Sequence, residues 1–500
     1  MNLVNREHHG PELILTPHAW AHGGHTVART DQGRVVFVRH ADVGEQVRVR
    51  LTEHQPEAKF WRGDAVEVLT GSEHRREHHP WAAADAVLCA SDGAQPVGGA
   101  ELGHLSVSRQ RQIKTQVLHE LLGGIGGLRP EELEDLQPIV TSLPYEDPLG
   151  LQWRTRAHFA VNDDGVIAMH PHRSDHLVAV DDFPLMVPAL RNLNLAQADL
   201  RGVVRVDVAA PSGEAGPLVL VTPPSAGDAD LPERLQAGLV SHLQSVSPEA
   251  SLVLGPAEGV RGEPAVLMRR GHTQERVGDL TWTVSAGGFW QIHRQAPSTL
   301  LPRISQAAGL EPGQTVLDLY SGAGLFTAAL AQTVGESGRV VAVEGSPVTS
   351  ADAAATFAEL PHVDVERGEV ERSLARIWPE RVRAPRGRHG ARSQGTQGSG
   401  GTRRRRSGSE LRSSGNGKRP AVASPDVVVL DPPRAGAGKA VVDAIHALQP
   451  QRVVYLSCDP ATLARDLARF RHHGWQIRSI SGLDMYPNTH HLETLVTLTR

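Results

Sequence analysis

The stretch VLDLYSGAGLFTAALA, from Val316 to Ala331, decides the fold of this chain. A short apolar run ends near Asp318, a turn containing Gly322 and Gly324 follows, and the remaining residues have an apolar pattern that predicts a helix. Glycines between a strand and a helix let a ligand approach the backbone and the helix N-terminus. The stretch therefore predicts the first strand–turn–helix unit of a ligand-binding α/β domain.

The same alternation of short apolar strands and helices continues to the end of the chain. The further strand patterns are RVVAVE, HVDVERG, DVVVLD, RVVYLS, WQIRSISGLD and HLETLVTLT. Strands that alternate with helices are typical of a doubly wound, mostly parallel sheet. We therefore expect a Rossmann-like domain at residues 280–500.

Two further units are expected before this domain. Residues 1–72 contain short strand patterns with period two, such as GRVVFVRH and EQVRVRLTEH, which predict a small closed β-barrel of the OB-like type. Residues 73–279 combine the helical pattern SRQRQIKTQVLHELLGGIGGL with the strand patterns WRTRAHFAV and PLVLVTPP. The expected fold class is α/β, with an N-terminal barrel and a central α+β domain.

The composition limits the class of protein. The chain has 500 residues, of which 40% are hydrophobic and 21% charged, as is typical of globular proteins. No apolar run approaches the length of a membrane span, so no membrane partner is expected. Only two cysteines are present, which excludes a disulfide framework and fits a reducing cytoplasm. The 26 histidines lack ligand spacing, so we expect no metal site.

The glycine turn and the acid that follows it indicate the class of cofactor. A dinucleotide fingerprint would have glycine at position 327, where this chain has Thr327. Twenty residues after Gly324, Glu344 ends the second strand pattern, where a carboxylate can bind both ribose hydroxyls. This combination suits a nucleoside cofactor without a pyrophosphate, and S-adenosylmethionine is the expected one.

Two later strand ends carry candidate reactive groups. In VVVLDPPRAG, two prolines make a stiff turn after Asp431, and Arg434 stands where amino-group methyltransferases favour an aromatic residue. In VVYLSCDPATLARDL, Cys458 lies between a strand pattern and a helix that begins with Pro460. By itself, Cys458 fits a small buried hydrophobic residue as well as it fits a nucleophile.

Five motifs in one order resemble the RNA 5-methyluridine methyltransferases, the TrmA/RumA-like family. They are the glycine turn, Glu344, DPPR, SCDPATLARD and MYPNTHHLETLVTL. Upstream, GGFWQIH is similar to the Phe-Phe-Gln-Val-Asn motif of that family, and GRVVFVRHADVGEQVRVRLTE is similar to its RNA-binding TRAM domain. The resemblance implies a class I methyltransferase that transfers a methyl group from S-adenosylmethionine to C5 of uridine in structured RNA.

The resemblance also implies the roles of individual residues. Cys458 would be the nucleophile and Glu493 the base, and the cofactor would be bound by Gln291, Tyr320, Gly322, Glu344 and Asp431. Uracil C5 is too weak a nucleophile to take a methyl group unaided. A thiolate that adds to C6 produces an enolate, C5 then attacks the methyl group, and a base removes the C5 proton.

The chain departs from the family at two places. Many relatives bind an iron–sulfur cluster through a Cys-Gly-Gly-Cys stretch, but Val97 and Ala100 occupy its cysteine positions here. Cys89 alone cannot hold a four-thiolate cluster, so we expect none. The Asn of Ser-Cys-Asn-Pro is replaced by Asp459, whose charge beside the thiol would raise its pKa.

Several alternatives remain open at this level. The chain could be a non-catalytic RNA-binding or chaperone protein on a methyltransferase scaffold, or a 5-methylcytosine enzyme that uses the same thiol addition. The motifs do not distinguish transfer RNA from 23S-type ribosomal RNA as substrate. We expect a monomer without an obligate protein partner. Because residues 1–72 contain no catalytic candidate, the barrel is expected to bind substrate rather than take part in chemistry.

The basic insertion Arg381–Pro420 generates a testable prediction. Between Arg381 and Arg419, twelve Arg or Lys residues accompany a single acid, and Gly and Ser dominate the rest. Such a composition cannot bury a core, so we expect disorder and phosphate contacts that depend on salt. Deleting the segment should leave the maximal methylation rate on saturating RNA nearly unchanged. A collapse of that rate in a folded variant would place the segment in the active site.

Overall fold

The computed structural model describes residues 10–144, 147–225, 230–382 and 422–500. Beyond Val382, the predicted insertion lies outside the described residues. Trp378 donates a hydrogen bond from Nε1 to the carbonyl of Val422 at 3.1 Å, so the chain returns to the same place on the far side of the insertion. In the described part of the chain, no helix is long and apolar enough to cross a membrane.

The N-terminal section forms one six-stranded sheet. Its strands are β1 (Glu12–Leu15), β2 (Ala19–Ala21), β3 (His25–Arg29), β4 (Val35–Arg39), β5 (Gln46–Glu53) and β6 (Phe60–Thr70). The order is β1-β5-β6-β4-β3-β2, so the two edge strands are consecutive in the chain and only three residues apart. The sheet must therefore curl back on itself, and the alternate residues Val36, Val38, Val47 and Val49 fill its interior.

The next section is helical and ends in a short strand. It contains a 3₁₀ turn (Ala82–Ala84), α1 (Ala86–Ser91), α2 (Val107–Gly124), α3 (Pro130–Leu136) and β7 (Val140–Ser142). The Ser106 hydroxyl accepts the backbone N–H of Arg109 and caps the start of α2. Helix α2 buries Ile113 and Val117 of the apolar face that the sequence predicts, whereas the third residue of that face, Leu121, is half-buried.

The central section forms a seven-stranded sheet with short helices. Its elements are β8 (Arg156–Val161), β9 (Ile167–Met169), β10 (Val178–Ala179), α4 (Pro188–Arg191), a 3₁₀ turn (Leu195–Gln197), β11 (Arg205–Ala209), β12 (Leu218–Thr222), α5 (Leu231–Leu235), a π-helical turn (Gln236–Val240), α6 (Ser241–Val246), β13 (Ser251–Leu254) and β14 (Ala265–Met268). The order is β10-β9-β8-β11-β12-β13-β14. A hairpin of β15 (His272–Val277) and β16 (Leu280–Ser285) follows it.

The C-terminal section builds the predicted doubly wound sheet. Its strands are β17 (Thr315–Leu319), β18 (Arg339–Glu344), β19 (Val363–Arg367), β20 (Val427–Leu430), β21 (Arg452–Ser457), β22 (Gln476–Asp484) and β23 (Glu493–Thr499). Its helices are α7 (Ala296–Ala308), α8 (Leu325–Val334), α9 (Pro347–Thr356), α10 (Val370–Ile377), α11 (Gly438–Leu448) and α12 (Pro460–His472). The strands β17 to β21 are parallel, and β23 runs antiparallel to both of its neighbours, β21 and β22.

The strand order of this sheet fixes where a ligand can bind. The order is β19-β18-β17-β20-β21-β23-β22-β7. The chain places β18 and β19 on one side of β17 and then returns to place β20 on its other side, so the strand order reverses between β17 and β20. Open α/β sheets bind ligands at such a reversal, outside the carboxyl ends of the strands. The last strand, β7, comes from residues predicted to belong to the central domain, and it pairs in parallel with β22.

A buried ion pair joins α2 to the C-terminal sheet. Lys114 Nζ lies 2.6 Å from Asp484 Oδ1, and the side chains are 1% and 0% exposed. The ammonium also donates to the Tyr486 carbonyl at 3.0 Å. Removing one partner of a buried pair costs more than the pair itself contributes, because the other charge stays buried.

We therefore predict that Lys114→Met lowers the free energy of unfolding by about 3–5 kcal/mol, since methionine keeps the length of the side chain and removes its charge. Lys439→Ala, on the exposed start of α11, should change it by less than about 0.5 kcal/mol. Urea titration followed by circular dichroism measures both values. Equal stability of the two variants would contradict a structural role for the pair.

Candidate active site

One cavity of about 1040 Å³ opens at the carboxyl edge of the C-terminal sheet. Its wall includes residues from the N-terminal sheet, the central section and the C-terminal sheet. The structure brings all seven residues predicted from the sequence to this wall: Gln291, Tyr320, Gly322, Glu344, Asp431, Cys458 and Glu493. They come from positions up to about 200 residues apart in the chain.

The turn after β17 forms one side of the cavity. Tyr320 and Gly322 have φ angles of 62° and 57°, so the backbone turns sharply before α8 begins at Leu325. Glu344 accepts the Gly322 N–H at 2.8 Å through Oε2 and the Ser346 N–H at 2.6 Å through Oε1. These bonds fix the carboxylate at the cavity wall, where it can accept hydrogen bonds from a ribose.

Asp318 lies beneath this turn, fully enclosed by protein. Burial raises the pKa of its carboxyl to about 7, although the Thr327 hydroxyl opposes the shift by donating a 2.6 Å hydrogen bond. Thr327 is the residue that replaces the last glycine of a dinucleotide fingerprint. In this fold it supports a buried acid, a role that the sequence pattern did not indicate.

Asp431 ends β20 and faces the same cavity. Burial, and then the charge of Asp318, raise the pKa of its carboxyl to about 7. Gln291 donates a long hydrogen bond from Nε2 to Asp431 Oδ2 at 3.4 Å, which opposes the shift. Gln291 and Asp431 come from separate motifs, and the fold makes them neighbours.

Cys458 follows β21 and is half-buried in the cavity wall. Burial raises the pKa of its thiol to about 12, and the charges of Glu493 and Asp431 are the next causes. The Arg434 guanidinium lowers that pKa. The thiol therefore lies among two carboxyls and one guanidinium, and its ionisation depends on the charge of each.

Glu493 is the first residue of β23 and lines the same cavity as the Cys458 thiol. Burial, and then the charge of Asp431, raise the pKa of its carboxyl well above the usual range. The Tyr486 hydroxyl donates to Glu493 Oε2 at 3.1 Å, whereas Oε1 has no hydrogen-bond partner among the described residues. Oε1 is thus the atom available to take a proton. Sequence reasoning did not single out Tyr486, which lies within the terminal motif.

Asp459 has a role beyond the one its sequence position suggested. Its charge does raise the pKa of Cys458, but it is the last of the five causes. Its Oδ1 accepts the N–H groups of Ala461 and Thr462 at 3.1 and 2.8 Å and so caps α12. Burial raises the pKa of the Asp459 carboxyl, but hydrogen bonds led by that of His22 bring it below its usual range.

Two further residues of the wall were missed from the sequence. The Phe289 ring is 58% exposed and lies beside Gly322, so an aromatic face is available at the cavity. Arg154 has no ion pair in the described part of the chain, and burial lowers the pKa of its guanidinium to about 10. Only the tertiary structure distinguishes Arg154 from other arginines, because its strand pattern carries no motif.

The stretch that aligned with a cluster-binding motif packs as apolar core. Val97 and Ala100 are 3% and 1% exposed, and the Cys89 thiol lies against the carbonyls of Ala82 and Ala83. Among the described residues, no group of three or more His, Cys, Asp or Glu side chains is arranged to hold a metal ion. The absence of an iron–sulfur cluster stays a prediction.

Family models match three parts of the chain. The model described as tRNA (Uracil-5-)-methyltransferase matches residues 423–500, and the TRAM domain model matches residues 13–66. A model described as Protein-L-isoaspartate(D-aspartate) O-methyltransferase matches residues 293–368, which contain β17 to β19. The first match contains Asp431, Cys458 and Glu493.

Full-length relatives agree with these matches. An uncharacterized RNA methyltransferase of Streptomyces avermitilis is 32% identical over 480 residues, which cover 96% of each chain. One of Streptomyces coelicolor is 32% identical over 484 residues, covering 96% of this chain and 90% of the relative.

A solved structure has the same fold over almost the whole chain. It is the Pyrococcus abyssi tRNA (uracil-54, C5)-methyltransferase in complex with S-adenosyl-L-homocysteine, with a TM-score of 0.60 and 18% identity over 97% of this chain and 99% of that one. The solved structure shows the fold, and the relatives together with the family matches show that the chain belongs to the S-adenosylmethionine-dependent RNA methyltransferases of the tRNA (uracil-5-)-methyltransferase family.

Proposed function

We propose that this enzyme methylates C5 of uridine in a structured RNA through a covalent bond between Cys458 and C6 of the base. The observation that carries the proposal is that Cys458, Glu493 and Asp431 line one cavity, where the charges of Glu493 and Asp431 act on the thiol. A thiol and a base on one cavity wall are what addition to C6 and removal of the C5 proton require. The family model and the Pyrococcus abyssi enzyme are both named for methylation of uracil, which supports this choice of base.

The charges around Cys458 determine when it can react. A thiol whose pKa is raised to about 12 is a poor nucleophile, so the cavity must change before attack. Bound S-adenosylmethionine supplies an electrophilic methyl group and a positive sulfonium charge. In the proposal, Gln291, Asp431 and Glu344 bind it, and neutralisation of Asp431 removes one of the charges that hold the pKa of the thiol high.

The proposed steps use two groups of this chain in turn. The Cys458 thiol loses its proton to solvent, and the thiolate forms a bond with C6. The electron pair moves to C5, which takes the methyl group from S-adenosylmethionine and leaves S-adenosylhomocysteine. Glu493, whose raised pKa requires that its carboxyl first be ionised, then accepts the C5 proton at Oε1, which has no hydrogen-bond partner among the described residues. The C6–sulfur bond breaks, the double bond of the base is restored, and the thiolate is released.

Two substitutions should fail in different ways if this order is correct. Cys458→Ala cannot form the bond to C6, so it should bind S-adenosylmethionine but leave no covalent species with RNA. Glu493→Gln keeps the thiol and the methyl transfer but lacks the base. It should accumulate a protein–RNA adduct that carries label from methyl-labelled S-adenosylmethionine and survives denaturing electrophoresis.

The controls of this experiment also test the alternatives. RNA extracted from a deletion strain, with transfer RNA and 23S-type ribosomal RNA separated, identifies the substrate, and a cytidine-only transcript tests 5-methylcytosine formation. A non-catalytic RNA-binding protein would bind cofactor and transfer nothing. Near-normal methylation of uridine by Cys458→Ala would refute the mechanism.

The raised pKa of Asp431 predicts how cofactor affinity depends on pH. Its carboxyl has a pKa of about 7 in the free enzyme, so it is protonated at pH 6 and ionised at pH 8. The sulfonium cation favours the ionised form. The affinity for S-adenosylmethionine should therefore fall as pH is lowered from 8 to 6, by at most about tenfold per pH unit for one linked proton.

Isothermal titration calorimetry with two ligands isolates this effect. S-adenosylhomocysteine lacks the sulfonium charge, so its affinity should depend less on pH. Asp431→Asn should flatten the slope for S-adenosylmethionine and leave that for S-adenosylhomocysteine almost unchanged. Identical slopes for both ligands in the natural enzyme would show that Asp431 does not face the sulfonium.

A further inference from the structure

The turn between β2 and β3 lies against the loop that contains Cys458 and against the loop that leads to Glu493. With one strand residue on each side, its sequence is AHGGH, from Ala21 to His25. Gly24 has a φ of 76°, and a Cβ at this position would lie 3.0 Å from Glu101 Cγ and 3.1 Å from His490 Cβ. The backbone of the N-terminal sheet thus approaches the segment that leads to Glu493 as closely as glycine allows.

Glu101 contacts Gly24 and also binds His490. It accepts the backbone N–H of His490 at 2.8 Å, and its carboxylate also pairs with His490 Nδ1. The rings of His22 and His490 meet edge to face, with centroids 6.2 Å apart. The turn is therefore fixed between Glu101, in the segment that joins α1 to α2, and the loop before β23.

His22 reaches from this turn to the residue beside the nucleophile. Its Nε2 lies 3.2 Å from Asp459 Oδ2, and the two side chains are 35% and 22% exposed. Because Asp459 Oδ1 already caps α12, the two oxygens of one carboxylate join the N-terminal sheet to the start of that helix. Cys458 precedes this carboxylate by one residue.

We propose that His22 is a positioning residue of the active site, which holds the Cys458 loop in place by its bond to Asp459. The N-terminal sheet then contributes to the chemistry as well as to RNA binding, in contrast to the expectation from its residue types. The importance of holding this loop in place rests on the proposed function of Cys458. The contact between His22 and Asp459 does not depend on that function.

The contact also has an electrostatic consequence. The His22 Nε2 lies at hydrogen-bond distance from Asp459 Oδ2, and a hydrogen bond donated there offsets part of the negative charge of Asp459; its removal leaves the full charge beside the thiol and raises the pKa of Cys458. The other charged groups that act on the thiol are Glu493, Asp431 and Arg434, and those beside His22 are His490 and Glu101. None of these other groups is altered by the variants used below.

The first test measures thiol reactivity and needs no RNA. The alkylation rate of Cys458 by iodoacetamide is followed by mass spectrometry between pH 6 and 10 in the full-length enzyme, with buried Cys89 as internal reference. Because this range lies below the pKa of about 12, the rate follows the thiolate fraction, and we expect His22→Ala to lower it about threefold or more at a given pH. Adding Asp459→Asn should reverse that loss, because asparagine retains the cap without the charge.

The second test separates positioning from charge. His22→Gln can still donate a hydrogen bond to Asp459 but carries no charge. At saturating RNA from a deletion strain and high pH, it should keep a single-turnover methylation rate close to that of the natural enzyme. His22→Ala should lose about tenfold there, with the RNA dissociation constant changed by less than about twofold.

His18→Ala is the matched control, because His18 is an exposed histidine of the same section. It should alter neither the alkylation profile nor the methylation rate.

If His22→Ala shifts neither profile, or if it weakens RNA binding alone, the proposal is wrong. If it alters alkylation in an enzyme that methylates no uridine, the proposed function fails and the positioning role stands. Should His22→Ala not fold, His22→Gln and Asp459→Asn provide the same comparison, with an unchanged alkylation profile in both refuting the proposal.

Discussion

The burial of three carboxyl groups around one cavity is the constraint on which the site depends. Asp318, Asp431 and Glu493 all have raised pKa values, with burial as the largest cause in each. A buried carboxylate is costly unless a cation or several hydrogen-bond donors accompany it. Thr327, Gln291 and Tyr486 supply one donor each. A positive charge in the cavity would stabilise the ionised forms of these carboxyls, and the sulfonium of S-adenosylmethionine carries such a charge.

This constraint makes the reactivity of Cys458 conditional. The same carboxyls that would bind a cation also raise the pKa of the thiol while no cation is present. A nucleophile that becomes reactive only when the site is filled is protected from side reactions. In the proposed mechanism, cofactor binding and activation of the thiol are thus two consequences of one electrostatic arrangement.

The cavity exists because three sections of the chain pack together. Strand β7 extends the C-terminal sheet, and the buried pair of Lys114 and Asp484 joins α2 to it. The N-terminal sheet closes the remaining side through the contacts of His22 and Gly24. Asp484 and Asp459 are polar groups of the C-terminal section whose partners, Lys114 and His22, come from other sections. Stability and the geometry of the site are therefore coupled.

The sequence by itself determined the doubly wound sheet, because strand and helix periodicity is local. Its contiguous motifs, through their resemblance to a known family, also named the seven candidate residues, whose roles stay proposals. It also indicated the six-stranded N-terminal unit as a barrel of four or five strands. Only the tertiary structure decided that β7 joins the C-terminal sheet, that Asp459 caps α12 and pairs with His22, and that Arg154, Phe289 and Tyr486 line the cavity. The cap is a local contact, but the other features depend on contacts between residues far apart in the chain, and no local pattern records which distant side chains will meet.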